Sequence, residues 1–381
     1  MVRARGIAAL VAAAWLAPAA GAQQAPAPDP PRFEGVPEPA PPLPAPRAGG
    51  GSAELLGEWT LHKTAGGTHP DGVEQTYVWL MNRARQDPPA EGVFLAGLDE
   101  FGVAQAVVYF GVDLALLQQE FAALAPKPPA AFDARLYEAA LAHSLGLIAR
   151  DAQDHQGQFD RVEEAGFHAQ ALRGNVFSYA REALYGHAAF NIDWGGSDGT
   201  GMQAGRGHRK AIMSIDGDYT NVGIAAVPEL DPVTRVGSSV VTGNYARAST
   251  AAADHYNRFL VGTVWQDLDE DDRYDPGEGI EGVTVVPSRG PWFAVTAAGG
   301  GYALPILEPG PVTVEFSGGG VPLHTVQATV GATSLLVDYD LASAVVVPAP
   351  GSTASGLGAS LTLVVLAARA ARFRARRHRL R

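Results

Sequence analysis

The stretch Phe132–His155, FDARLYEAALAHSLGLIARDAQDH, decides how the first half of this chain is organised. Its apolar residues and His143 recur at the spacing that places side chains on one face of a helix. Asp133 stands at the N-cap position, where a carboxylate accepts hydrogen bonds from the free N–H groups of the first turn. The stretch therefore predicts a helix that begins after Asp133 and ends close to His155.

Further helices and strands surround this one. Helical spacing also extends from Val73 to Ala84, breaks at Asp87, and returns over residues 106–124. Later in the chain, the segments TNVGIAAV and SSVVTGNYA are short, β-branched and bounded by Gly, Asp and Pro, which is typical of strands. Helices around a small sheet predict an α+β domain, which we place at residues 54–249.

A second domain is predicted at residues 257–341. It contains six short segments separated by Gly and Pro turns: GVTVVP, WFAVTAA, GYALPIL, PVTVEFS, HTVQATV and SLLVDYDL. Regularly spaced short strands are typical of a β-sandwich. The fold class predicted for the chain is α+β, with a mixed domain followed by an all-β sandwich.

Several ordered motifs in the first domain resemble the CAP superfamily, in particular its SCP-like and YkwD-like bacterial members. They are VWLMNRARQDPPAEG, the stretch that ends at His155, DRVEEAGF, RGNVFSYA, GMQAGRGHRKAIM and YTNVGIA, between about Val73 and Tyr245. The resemblance implies an α-β-α sandwich with a central antiparallel sheet and an open cleft. In many members two histidines and two acids meet in that cleft, and the motifs match His155 and His208 to the two histidines.

The chain departs from the family at Gly174, which stands where the family has a glutamate before the asparagine matched by Asn175. One cleft acid is therefore missing from its usual place, and the sequence does not locate the second. Two neutral imidazoles can share a divalent metal, typically Zn²⁺, with water or an acid completing the shell. A carboxylate normally orients a metal-bound histidine and raises its basicity, so its loss weakens the case for hydrolysis by metal-bound water.

Three interpretations of His155 and His208 stay open. The pair binds a divalent metal or, as the resemblance implies for sterols and lipids, a small apolar ligand. Alternatively the pair is catalytic, in a metal-assisted hydrolase of peptide or envelope polymer, or it is structural. We favour binding without catalysis, because the chain has no cysteine and the GGSDG around Ser197 lacks the pattern of a nucleophile elbow.

An acidic loop of twelve residues, DLDEDDRYDPGE, opens the second domain. Its spacing matches a calcium loop, with Asp272 where a glycine normally makes the sharp turn. The ligands so predicted are the side chains of Asp267, Asp269, Asp271, Asp275 and Glu278 and the backbone carbonyl of Arg273. The flanking strands exclude an EF-hand helix pair, and the alternative is a solvated acidic loop.

The surroundings of this loop, GTVWQDLDEDDRYDPGEGIEGVTVV and the later GGGYALPIL, resemble SdrD B-type and related prealbumin-like modules. Those are spacer domains of bacterial surface proteins that bind calcium. The resemblance implies a sandwich that Ca²⁺ stabilises by mass action. Such stabilisation suits a chain without cysteine, which forms no disulfides.

The start of the chain predicts export. Residues 1–22 combine Arg3 and Arg5, an apolar run and a small-residue cleavage site, which is the pattern of a secretory signal peptide. Residues 23–53 are dense in proline and predict an extended, semi-rigid linker. We therefore expect a protein that is secreted or held at the cell surface.

The end of the chain, residues 347–381, joins the motif VPAP to an apolar run and seven arginines. This tail resembles a PEP-CTERM-type sorting signal, which implies retention in the membrane until an exosortase-like peptidase cuts near the prolines. A plain membrane anchor and a nucleic-acid-binding tail are the alternatives, and the apolar run argues against the second. Without the nine arginines of the two ends, the chain is nine charges more negative than its formal net charge of −12. Such a charge favours cations and excludes nucleic acid as a partner.

Overall fold

The computed structural model describes residues 57–196 and 199–342. The signal peptide predicted at residues 1–22, the linker predicted at residues 23–53 and the sorting signal predicted at residues 347–381 lie outside the described residues. Within the described residues the chain is a mixed α and β protein, and most of its helices precede most of its strands. This content agrees with the predicted α+β class.

Eight helices occur in the described residues. They are α1 (Gly72–Gln86), α2 (Pro88–Ala96), α3 (Phe101–Phe110), α4 (Leu114–Ala122), α5 (Ala134–Arg150), α6 (Gln158–Glu164), α7 (Ala183–Ile192) and α8 (Gly207–Ile212). Helix α5 begins where the sequence predicts, because the carboxylate of Asp133 accepts from the backbone N–H of Arg135. The single helix predicted over residues 106–124 is wrong. Gly111 ends α3 with a left-handed φ of 65°, and Asp113 caps a separate α4.

The described residues contain thirteen strands. They are β1 (Gly57–Glu58), β2 (Ala131–Phe132), β3 (Ala169–Ala180), β4 (Asn221–Glu229), β5 (Ser238–Ala248), β6 (Phe259–Trp265), β7 (Val283–Pro287), β8 (Trp292–Val295), β9 (Gly301–Pro305), β10 (Gly310–Gly318), β11 (Val321–Val330), β12 (Leu335–Leu336) and β13 (Tyr339–Asp340). Strands β4 and β5 lie where the sequence predicts them. Strands β3 and β6 are not among the predicted strands.

One four-stranded sheet, in the order β2-β4-β5-β3, carries helices on both faces. It is antiparallel except for the pair β2 and β4. On one face, Asn244 of β5 donates to the carbonyl of Leu136 in α5, over 3.1 Å. Neighbouring positions of a strand face opposite sides, and on the other face Asn175 of β3 donates to the carbonyl of His208 in α8. Glycine at position 223 lets α5 approach, since a Cβ there would lie 2.1 Å from the backbone nitrogen of Tyr137.

The remaining strands form a five-stranded sheet, β1-β8-β7-β10-β11, and a four-stranded sheet in which β6 pairs with β9, β12 and β13. The inward side chains of both sheets meet in one hydrophobic core. That core includes Leu260, Val264, Val285, Val314, Phe316 and Tyr339. Their burial removes apolar surface from water, the main favourable contribution to the stability of this part.

The first described strand, β1, belongs to this second part of the chain. It pairs in parallel with β8, and the ring of Trp59 lies 5.3 Å from that of Trp292. The last described strand, β13, pairs with β6 in the same part. The helical part, with its own sheet, is therefore inserted between β1 and β6.

A cluster of large side chains joins the helical part to the strand-rich part. Trp79 of α1 and Leu184 of α7 pack with Trp265 and Tyr274, and the rings of Trp79 and Trp265 are 5.8 Å apart. Tyr274 lies within the predicted calcium loop, and its hydroxyl donates to the carbonyl of Gly299. This packing holds the acidic loop against the helices.

Among the described helices, none is by itself long and apolar enough to cross a membrane. Helices α2 and α3 satisfy the length and composition criterion only when taken together, and they are bent by 88°.

Candidate functional site

His208 lies in the first turn of α8 and is fixed by a buried acid. Its Nδ1–H donates to Oδ1 of Asp193 over 2.7 Å, and its backbone N–H donates to Oδ2 of the same carboxylate over 3.0 Å. Asp193 follows α7 in a left-handed conformation, with φ of 59°, and its side chain is fully buried. This conformation turns the carboxylate toward α8 although the two residues are fifteen positions apart. The proton on Nδ1 leaves Nε2 as the nitrogen with a free lone pair.

His155 lies in the loop between α5 and α6, and its ring is held through Nδ1 by the neutral amide of Gln158. Its Nδ1 is 2.7 Å from Oε1 of Gln158. The amide nitrogen of Gln158 donates to Oδ1 of Asn244 over 2.9 Å and to the carbonyl of Gly243. Because these contacts use the amide N–H groups, the oxygen of Gln158 must face His155 and accept from Nδ1–H. His155 therefore also keeps its lone pair on Nε2.

Gly174 provides the space that Gln158 occupies. A Cβ at position 174 would lie 2.4 Å from Nε2 of Gln158, which is closer than any real Cβ contact. The absence of a side chain at Gly174 thus admits the buried amide of Gln158, which contacts His155. Sequence reasoning missed Gln158 because it searched for a carboxylate.

The two histidines are connected through consecutive residues of β3. Gly174 contacts Gln158, the partner of His155, and the side-chain amide of Asn175 donates to the carbonyl of His208 over 3.1 Å. These two positions face opposite sides of the sheet, and β3 is the edge strand. Within residues 57–196 and 199–342, no hydrogen bond or ring contact joins the two imidazoles directly. The close groups of three candidate metal ligands found there include neither of them.

His143 and Arg161, near His155, are structural residues. His143 is buried, and its Nε2 is 2.9 Å from the carbonyl oxygen of Asp154. Burial is the main reason why the pKa of His143 lies below its usual value, and the nearby Arg161 guanidinium lowers it further. Arg161 also donates to the carbonyl of Gly157. These contacts hold the loop that carries His155.

The acidic loop of the second part brings three carboxylates together. One oxygen from each of Asp267, Asp269 and Asp271 lies within 4.8 Å of the others. The backbone N–H of Asp272 donates to Asp267 over 2.9 Å. Asp272 itself has a φ of 62°, the left-handed conformation that glycine supplies at this position of a calcium loop. The sharp turn is therefore formed without glycine.

The other predicted calcium ligands make contacts of their own. The oxygens of Glu278 accept from the backbone N–H groups of Leu268 and Asp275, each over 2.8 Å. The guanidinium of Arg273 contacts Asp271 at 2.9 Å and Asp275 at 3.2 Å, and reaches Glu100 at 3.5 Å. Burial raises the pKa of Asp271 and of Glu278. The side chain of Arg273 thus offsets part of the negative charge of the loop. The sequence prediction assigned a role only to the backbone carbonyl of Arg273 and did not include this effect.

A second group of three candidate metal ligands, His69, Asp71 and Glu74, lies at the start of α1, where its members hydrogen-bond to each other and to the helix. His69 contacts Glu74 through Nδ1 at 2.7 Å, and Glu74 also accepts from the backbone N–H of Asp71. Asp71 in turn accepts from the N–H groups of Val73 and Glu74. These contacts form the capping box of α1, so the group has a structural role.

Comparison with known proteins adds no relative. No family model matches the chain, and no curated protein matches it. The resemblance to the CAP superfamily and to calcium-binding spacer modules stays a prediction.

Proposed function

We propose that this chain is an exported bacterial cell-surface protein whose CAP-like domain binds a divalent metal ion, typically Zn²⁺, through His155 and His208. The observation that carries the proposal is the common state of the two imidazoles. Each Nδ1 is held by an oxygen 2.7 Å away, so each Nε2 is available to a ligand. An outer contact of this kind fixes the orientation and tautomer of metal-binding histidines. A small apolar ligand, as the family resemblance implies, is the alternative occupant.

The layered arrangement of the helical part supports the family assignment. Helix α5 contacts one face of a mostly antiparallel sheet and α8 contacts the other. An α-β-α sandwich has these layers, and the motif residues His155 and His208 lie next to α5 and within α8. Both histidines connect to the edge strand β3, His155 through Gln158 beside Gly174 and His208 through Asn175.

Metal binding without hydrolysis is favoured because only one of the two histidines, His208, has a carboxylate partner. Gln158 is a neutral amide and raises the basicity of His155 less than a carboxylate would. No third candidate ligand lies with both imidazoles in the part of the chain described. A metal held by two imidazoles keeps more water in its shell and binds more weakly than one with three protein ligands.

A metal-assisted hydrolase of peptide or envelope polymer is the second candidate, and one contact favours it. Asp193 is fully buried and holds His208 through Nδ1, which is how a general base is oriented for proton transfer through Nε2. The sequence did not locate this acid. Serine at position 197 lies outside the described residues.

The strand-rich part is proposed to be a spacer stabilised by Ca²⁺. Asp267, Asp269 and Asp271 already converge, and carboxylate oxygens are the donors that this ion prefers. Asp275 and Glu278 would complete the shell after leaving Arg273 and the backbone N–H groups that they now contact. The shared core of its two sheets supports the assignment to a β-sandwich.

The proposed location follows from the two ends of the sequence. The signal peptide exports the chain, the apolar tail holds it in the membrane, and an exosortase-like peptidase is the partner that would process the tail. Lipid, sterol or an envelope polymer would then be within reach of the helical part.

Titration of the full-length chain with Zn²⁺, followed by calorimetry, tests the histidine site. The proposal predicts saturable binding that His155→Ala and His208→Ala each weaken at least about tenfold. His168→Ala is the matched control, because His168 is half-exposed and its ring contacts Glu163 and His255 instead of the partners of His155 and His208. A flat titration of the parent, or loss in only one of the two variants, contradicts a shared site. Turnover of a peptide or peptidoglycan panel that both substitutions abolish would support the hydrolase instead.

A further inference from the structure

Helix α3 presents an unusual surface, since its outward face is apolar and aromatic. Phe101 is 74% exposed, Val108 81% and Tyr109 76%. These positions, together with Gln105, fall at the spacing of one helix face, while Val103 and Ala106 on the other face are buried. We name Phe101, Val108 and Tyr109 the α3 face. No charged residue occurs between Phe101 and Phe110.

The segment of sequence around the α3 face contains no cation. From Pro88 to Pro126 the sequence has no lysine or arginine. Three of the acids in this segment are paired, Glu91 with Arg83, Glu100 with Arg273 and Glu120 with Arg206. The α3 face therefore offers no positive charge of its own to an anionic partner, and it acts through apolar contact.

The described chain ends beside Trp265, whose hydrophobic cluster includes Leu98, three residues before Phe101. Strand β13 pairs with Val264 and Trp265, and the N–H of Leu341 donates to the carbonyl of Trp265 over 2.9 Å. Trp265 leads into the acidic loop, whose Arg273 reaches Glu100 at 3.5 Å. Glu100 immediately precedes Phe101. The chain thus leaves the described part on the side where α3 begins.

The membrane lies within reach from that point. Ala342 is the last described residue, and the apolar run of the tail starts near Ala354. The residues between them span at most roughly 40 Å when fully extended, at about 3.5 Å each. A tether of this length keeps the α3 face at a high effective concentration near the bilayer, so modest apolar contact is sufficient for docking.

From these observations we infer that the α3 face docks on the surface of the membrane that holds the chain. Phe101 and Tyr109 insert into the interface between head groups and acyl chains, where aromatic side chains are favoured, and Val108 enters beside Tyr109. The face is too small for a stable dimer, which buries about 800 Å² and 20–30 residues on each partner. The inference rests on the proposed membrane tether of the preceding section.

The absence of cysteine in the chain permits a direct test. Single-cysteine variants of the full-length chain, Tyr109→Cys, Val233→Cys and Leu366→Cys, carry an environment-sensitive fluorophore. The chain is reconstituted into phosphatidylcholine vesicles that contain a nitroxide-labelled lipid as quencher. Val233 is the matched control, because it is 85% exposed and lies in the β4–β5 loop rather than on α3. Leu366 reports on the tail alone.

The inference predicts quenching at positions 109 and 366 and none at position 233. In the Tyr109→Cys chain, Val108→Asp should lower the ratio of docked to undocked chains about tenfold, because it removes one inserted aliphatic side chain, whereas Val233→Asp should leave the ratio unchanged. Quenching at position 366 without quenching at position 109 overturns the docking surface and keeps the tether. No quenching at position 366 overturns the tether. Without vesicles, the fluorophore at position 109 should stay exposed to water at every protein concentration. If its shielding instead increases with protein concentration, a second copy of the chain occupies the α3 face and the inference is overturned.

Discussion

The imidazole of His208 and the carboxylate of Asp193 form a two-point contact in which one carboxylate oxygen accepts from the ring and the other from the backbone N–H. The side chain of Asp193 is fully buried, and that of His208 is 24% exposed. A buried acceptor thus orients a ring that solvent and ligands can reach.

Asp193→Asn should weaken Zn²⁺ binding about 10- to 100-fold, the usual effect of removing an outer carboxylate partner. Asparagine keeps an oxygen for hydrogen bonding and tolerates the left-handed backbone at this position, so the fold should persist. Calorimetric titration measures the affinity, and thermal unfolding confirms that the variant is folded. Unchanged affinity would show that the carboxylate has only a structural role.

Gly174→Ala should destabilise the protein by about 1–3 kcal/mol, because the new methyl group overlaps the amide of Gln158. The same substitution in a Gln158→Ala background should cost less, since the overlapping amide is gone. A double-mutant cycle in urea measures this coupling. Additive effects would indicate that the two residues do not compete for one space.

Ca²⁺ should raise the melting temperature of the parent, and Asp267→Asn should reduce this rise. Arg273→Gln should increase the affinity for Ca²⁺, because it removes a guanidinium that lies against Asp271 and Asp275. Asp272→Asn is the matched control, since asparagine also accepts the left-handed backbone there. Calorimetry with Ca²⁺ compares the affinities. A lower affinity in Arg273→Gln would mean that the arginine supports the loop more than it competes with the ion.

His62 should make stability depend on pH between about 6.5 and 4. Burial is the main cause that lowers the pKa of His62 to about 4 from an ordinary value of 6.5. As the pH falls below 6.5 the unfolded chain takes up a proton that the folded chain refuses, so stability present at neutral pH is lost until about pH 4. The loss is on the order of 1.4 kcal/mol per unit of pKa difference. Urea unfolding at several pH values should show a smaller slope for His62→Gln, and equal slopes would assign the effect to other groups.

The fold follows from sequence where a local signal is strong. Asp133 and the periodic residues after it predict α5, and the β-branched runs predict β4 and β5. Strand β6 was missed because all seven of its residues are buried, so it lacks the alternation of a half-exposed strand. The break at Gly111 was missed because glycine is tolerated within helices, and only the structure shows its left-handed φ.

The site could be predicted only in part for a related reason. The motifs predict His155 and His208 as candidate residues, but the residues that contact their rings are distant in sequence or different in chemistry. Asp193 reaches His208 only because its left-handed backbone turns back after α7. Gln158 reaches His155 only because position 174 has no side chain. The spacing of residues in the sequence reveals neither the left-handed backbone at Asp193 nor the contact between Gln158 and position 174.

The insertion of the helical part between β1 and β6 has a mechanical consequence. A pull applied at Gly57 and Ala342 acts on strands of the same hydrophobic core, through β1 on one side and β13 on the other. Such a load would stretch the strand-rich part and leave the inserted helices outside its path. Tension along this path would therefore leave the surroundings of His155 and His208 undistorted.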